Sequence, residues 1–185
     1  MIRELVVFVC LGVALSACAG YKSESLGPPV YEIYKMPVKQ ARSYLAGKTI
    51  MTYAGQGARC GFRNEAMTAY QPCMGRLGAG TQVEYLAETG EAYLWHPDQR
   101  DIIVGVWDIP VSSNPYRVCF LYPNARKDWA SGKTEDLAFC EALGAYAELV
   151  NETAEGDSFG LSTGGRVPFL LGRQEVTITD LLKRL

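Results

Sequence analysis

The sequence predicts a mainly β domain, an antiparallel meander forming a small sandwich or barrel, with a short N-terminal helix and a C-terminal helix. Three observations predict it. Thr81 to Ala87 and Glu91 to His96 are apolar-rich segments with partial period-two alternation, separated by Glu-Thr-Gly as in a hairpin. Ile102 to Ile109 is dominated by β-branched residues. Turn formers punctuate these segments at Pro97-Asp-Gln-Arg-Asp101 and Ser112-Ser-Asn-Pro115, so that each strand can return beside its predecessor.

Taken in order, the first element is a helix over 37–46. Pro37 suits its first turn, Val38, Ala41 and Leu45 share a face, and Gly47 is placed to end it. Lys48 to Tyr53 is a first strand, followed by a Gly-rich stretch from Gly55 to Gly80 that contains Cys60 and Cys73. In the hairpin, Val83, Tyr85 and Ala87 share one face. The uninterrupted apolar run at 102–107 predicts a strand buried on both faces. Tyr116 to Tyr122 is the next strand. Thr134 to Gly144 reads either as a short capped helix or as part of a region in which Ala145 to Asn151 and Ser158 to Leu161 form another hairpin. Val167 to Leu171 reads as a strand, and Thr177 to Leu185 as a closing helix with Ile178, Leu181, Leu182 and Leu185 on one face.

The amino terminus carries a different kind of information. Met1-Ile-Arg-Glu is a short polar start with one cation, followed from Leu5 to Leu15 by about eleven uncharged residues, signal-peptide length rather than the roughly 20 that span a bilayer. Leu15-Ser16-Ala17-Cys18 then resembles the lipobox of bacterial lipoproteins. The resemblance implies a diacylglyceryl thioether on Cys18, cleavage between Ala17 and Cys18, and acylation of the freed amine. Two or three acyl chains, palmitate among them, anchor stably without a transmembrane helix. Ala19 in place of the Asp that retains such proteins at the inner membrane implies the outer membrane, facing the periplasm. An ordinary secretory signal cleaved after Ala17-Cys18-Ala19 is the other reading of the same small residues. The organisation expected is therefore a signal peptide at 1–17, a lipidated tether at 18–29 rich in Gly, Pro and Ser, and one domain at 30–185.

Composition bounds the partners. Loss of Arg3 and Glu4 together leaves the net charge of -2 unchanged, and no basic patch points to nucleic acid. Of six cysteines, Cys10 leaves with the signal and Cys18 takes lipid. Cys60, Cys73, Cys119 and Cys140 remain, an even number suited to two disulfides in an oxidising envelope. Of three possible connectivities, Cys60 with Cys73 and Cys119 with Cys140 close the shortest loops, each contributing about 3 kcal/mol on the chain-entropy model. No Cys-x-x-Cys is present and the single histidine stands far from any close cysteine pair, so no metal and no cofactor are expected.

Motifs with catalytic associations lack their partners. Gly156-Asp-Ser-Phe-Gly160 matches the nucleophile elbow, but no histidine follows it. Gly55-Gln-Gly57-Ala-Arg-Cys-Gly61 has one residue too many for a dinucleotide fingerprint. His96-Pro-Asp98-Gln-Arg100-Asp101 gathers a histidine, two carboxylates and a cation, and reads as a solvated turn. Gly105-Val-Trp107 resembles the lipocalin Gly-x-Trp, misplaced relative to the barrel start, and reads as a core tryptophan with a small neighbour. Together with Val118-Cys-Phe-Leu-Tyr122 and Phe139-Cys140, it also resembles an uncharacterised family of proteobacterial secreted proteins over roughly residues 44 to 172. That resemblance implies no activity.

The function expected is that of a non-enzymatic, lipid-anchored envelope protein that binds a protein or cell-wall partner, with Trp95, His96, Arg100 and Trp107 as candidate contacts. Two alternatives stand beside it. One is a small-ligand carrier with Tyr85, Tyr93, Trp95, Trp107 and Tyr122 lining a barrel mouth. The other is an inhibitor of an invading or host enzyme, presenting a loop between Cys60 and Cys73.

Overall fold

The computed structural model describes residues 33, 35–54, 80–97, 99–111, 116–127 and 134–185. The expectations for Cys18, the tether, Cys60 and Cys73 lie outside the described residues. The elements are α1 (Val38–Leu45), β1 (Lys48–Ala54), β2 (Gly80–Leu86), β3 (Glu91–Trp95), β4 (Ile103–Asp108), β5 (Arg117–Lys127), β6 (Thr134–Ala142), α2 (Leu143–Leu149), β7 (Val150–Glu155), α3 (Leu161–Gly164) and α4 (Ile178–Leu182).

The domain is mainly β, a single antiparallel sheet curled into a half-barrel. Its strand order is β6-β5-β4-β3-β2-β1-β7, so six strands form a simple meander and β7 returns to the free edge of β1. β6 and β7 are the two edges of the sheet, yet only α2 separates them in sequence. A seven-residue helix rises about 10 Å, which forces the edges toward each other and makes the sheet curl.

Alternation along the strands gives each face its own core. On the inner face, Ile50, Leu86, Leu94, Ile103, Phe120 and Tyr122 pack against Ala41 and Leu45 of α1 and Leu143, Tyr146 and Ala147 of α2. On the outer face, Met51, Val83 and Trp95 meet Phe159, Leu161, Leu171, Ile178 and Leu181 from the C-terminal segment. α1 starts where Gln40 and Ala41 donate to the Pro37 carbonyl and ends at Gly47, whose φ of +73° favours glycine. Trp107 holds the β2–β3 turn: its backbone N–H donates to Gly90 and its indole N–H to Ala87.

Four expectations are corrected. β4 is not buried on both faces: Ile103, Gly105 and Trp107 point inward, whereas Val104 and Val106 are 53% and 51% exposed. Residues 134–142 are a strand, because Leu137 and Phe139 fill the inner core at period two; the helix follows at α2, so no hairpin forms from 145–151 and 158–161. Residues 167–171 form no strand: they bend at Pro168 and Phe169 and join no ladder. Val167 N–H donates to Arg100 and the Phe169 carbonyl accepts from the Trp95 indole, so these backbone groups are spent on a loop and a side chain. The C-terminal helix shrinks to α4, with Ile178 and Leu181 buried and Leu185 exposed beyond its end.

Candidate functional site

The C-terminal segment covers only part of the outer face. It lies over β1, β2, β3 and β7, where Phe159 and Phe169 pack edge-on to Trp95 at ring centroid distances of 5.4 and 4.9 Å. Among the described residues, nothing covers β4, β5 and β6 on that side. Register places Val104 beside Tyr93, Val106 beside Leu121, Leu121 beside Ala138, and Cys119 beside Cys140. Val104, Val106 and Leu121 are exposed large apolar residues on the middle of a sheet, where pairing on both edges of β4 ordinarily accompanies burial. Tyr93 stacks on Tyr85 at 6.1 Å and borders this strip. Burial, followed by the negative charge of Asp157, holds the Tyr85 phenol above its ordinary range.

The rim is charged. Glu91, Asp108 and Asp136 share the outward phase of their strands, as does Arg117. Asp108 is paired with Arg42 at 3.6 Å. The Thr89 hydroxyl, hydrogen-bonded to Glu91, holds that carboxyl below its usual range, so Glu91 is ionised at neutral pH.

The disulfide lies on the same open face. Cys119 and Cys140 are bonded, in the pairing expected from their spacing, and join β5 to β6 with a Cα–Cα distance of 4.0 Å.

The candidate contacts do not converge. Trp95 is fully buried under the C-terminal segment on the outer face, while Trp107 is buried on the inner face beneath the Arg42 guanidinium, 4.9 Å from its ring. His96 is buried, 6% exposed, where its sequence context suggested a solvated turn; its carbonyl accepts from the Gln99 N–H and opens the turn that follows β3. Arg100 is exposed, with its carbonyl accepting from Val167. The five aromatics proposed for a barrel mouth are likewise divided. Trp107 and Tyr122 belong to the inner core, and Tyr85, Tyr93 and Trp95 belong to the outer face.

A buried polar cluster was not foreseen. Glu84 sits in the inner core, where its two carboxylate oxygens accept from the Tyr122 hydroxyl at 2.8 Å and the Tyr146 hydroxyl at 3.1 Å. One carboxylate thereby ties β2, β5 and α2 together. On the other face, buried Glu152 accepts from the Ile178 N–H and anchors the start of α4. These carboxylates are on opposite faces and do not form a catalytic pair. In the nucleophile-elbow motif, Asp157 accepts from the N–H groups of Leu161 and Ser162 at 2.8 Å each and caps the single turn of α3. Phe159 of the same motif is buried against Trp95.

The open strip had a signal in the sequence. In Val104-Gly-Val-Trp-Asp108, glycine and tryptophan alternate with valine, and Asp108 falls in the valine phase, which marks that side as wet. No protein-family model, curated protein or solved structure matches the chain.

Proposed function

We propose that this protein is a lipid-anchored component of the bacterial envelope that acts without catalysis, by docking a partner protein on the open half of its outer sheet face. The anchor rests on the Leu15-Ser16-Ala17-Cys18 lipobox. The carrying observation for docking is the exposed apolar strip of Val104, Val106 and Leu121, set mid-sheet with a mixed-charge rim. Such a core-and-rim arrangement is the anatomy of a protein interface, in which apolar contacts exclude water and surrounding charges select the partner. Among the described residues no helix is long and apolar enough to cross a membrane.

The test is site-specific photocrosslinking in intact cells, with the probe placed at Val106 and, as a control, at exposed Ser43 on α1. A discrete adduct at Val106 that is missing at Ser43, and that is abolished by Val104→Lys, supports the reading. Equal labelling at both positions refutes the docking face. Release of the protein from membranes by Cys18→Ser tests the anchor separately, and retention of that variant in the membrane refutes it.

A further inference from the structure

We propose that Cys119–Cys140 is a reversible thiol–disulfide exchange site, in which the thiolate of an incoming dithiol attacks Cys140 and Cys119 is the leaving group. The inference does not rest on the docking reading. The bond lies on the open outer face, with Cys140 exposed and Cys119 half-buried. Exchange requires the attacking sulfur to approach in line with the bond that breaks. The bond runs from β5 to β6, so the line to Cys140 enters from beyond β6, an edge strand with no further strand beside it among the described residues. The opposite line, to Cys119, passes over β4, where Asp108 is the register partner of Cys119 on the same face. β4 continues the sheet on that side, so an approach to Cys119 has to be made across a paired strand. Geometry therefore selects Cys140.

The exchange is balanced as follows. A dithiol reductant supplies a thiolate that bonds to the Cys140 Sγ, the disulfide breaks, and Cys119 departs as a thiolate that takes up a proton. The second thiol of the reductant then loses its proton and attacks the mixed disulfide, releasing Cys140 as a thiol and leaving the reductant oxidised. Two electrons and two protons pass to the cysteine pair.

The fold tolerates this. β5 and β6 remain joined by their ladder from Arg117–Ala142 to Lys127–Thr134, and Phe139 stacks on Phe120 at 5.2 Å on the inner side. Buried Leu137 anchors the same strand.

The oxidised full chain is treated in native buffer with glutathione or dithiothreitol, quenched by alkylation and read peptide by peptide, with near-ultraviolet circular dichroism recorded in parallel. Dithiothreitol is expected to expose both Cys119 and Cys140 to alkylation without loss of the tertiary signal. Glutathione is expected on Cys140 in about tenfold excess over Cys119. Reduction only in denaturant, loss of the tertiary signal in step with reduction, or glutathione distributed equally in the parent protein overturns the proposal. The Cys119→Ser, Cys140→Ser double variant gives an independent check: if it fails to fold, the bond is a structural staple and the proposal falls.

Discussion

Replacing Gly105 with alanine probes the tightest point of the sheet. A Cβ at this position overlaps both the Leu121 carbonyl oxygen and the Tyr122 ring, well inside the 3.0 Å that real Cβ atoms respect. The ring cannot swing away cheaply, because its hydroxyl is held by buried Glu84. The carbonyl belongs to the β5 backbone and cannot yield without disturbing the β4–β5 ladder at Val106–Leu121. Overpacking of a filled core costs about 1–3 kcal/mol, and a clash with backbone places this substitution near the top, at about 3 kcal/mol. For a chain of this length that corresponds to a fall in Tm of about 6–12 °C. Gly156→Ala is the control: nothing lies within 4 Å of its added methyl, and only its φ of +73° is penalised, at about 1 kcal/mol. Urea denaturation of the oxidised protein at fixed pH, supported by thermal melts, measures both. A Gly105→Ala variant within about 0.5 kcal/mol of the parent would refute the close approach of β5 to β4.

Three further outcomes are expected. Tyr122→Phe and Tyr146→Phe each remove a donor from the buried Glu84 carboxylate and should cost about 1.5–3 kcal/mol in urea denaturation, whereas no measurable change would mean Glu84 is not sealed in the core. Val104→Thr should change stability by less than about 0.5 kcal/mol while Ile103→Thr destabilises by more than 1 kcal/mol or so, and a reversed order would mean that β4 presents its other face. The Thr177 side-chain hydrogen bond is the main reason that Asp180 titrates below 3.8. A depressed carboxyl pKa stabilises above the unfolded value and loses that contribution as pH falls through the folded one, so Thr177→Ala should move the Asp180 titration upward by NMR and blunt the acid loss of helicity at α4. An unmoved titration would rule out the cap.

Much of the strand order was legible because it is local. The 81–96 hairpin and the strands at 102–109 and 116–122 are set by alternation and turn residues within a few positions; β2 to β4 appear within one residue of those bounds, and β5 starts within one but runs five residues further, to Lys127. α1 was likewise readable from Pro37, its apolar phase and Gly47. The spacing of Cys119 and Cys140 pointed to their bond, which the in-register pairing of β5 and β6 then brings about.

What depended on distant contacts was not legible. Thr134 to Ala142 suits a helix by local composition, and it becomes β6 because the edge of β5 offers a ladder and the inner core takes Leu137 and Phe139. The burial of Trp95 depends on where residues 157–185 come to rest, which no neighbouring residue specifies. The same placement decides that, among the described residues, the outward side of β4 stays open, because the covering segment reaches β3 and stops. By itself the sequence determined the meander and the period-two phase of its strands, each a property of residues close in the chain. Only the tertiary structure decided which apolar faces are covered, because burial on the second face of a sheet is set by chain that arrives from far along the sequence.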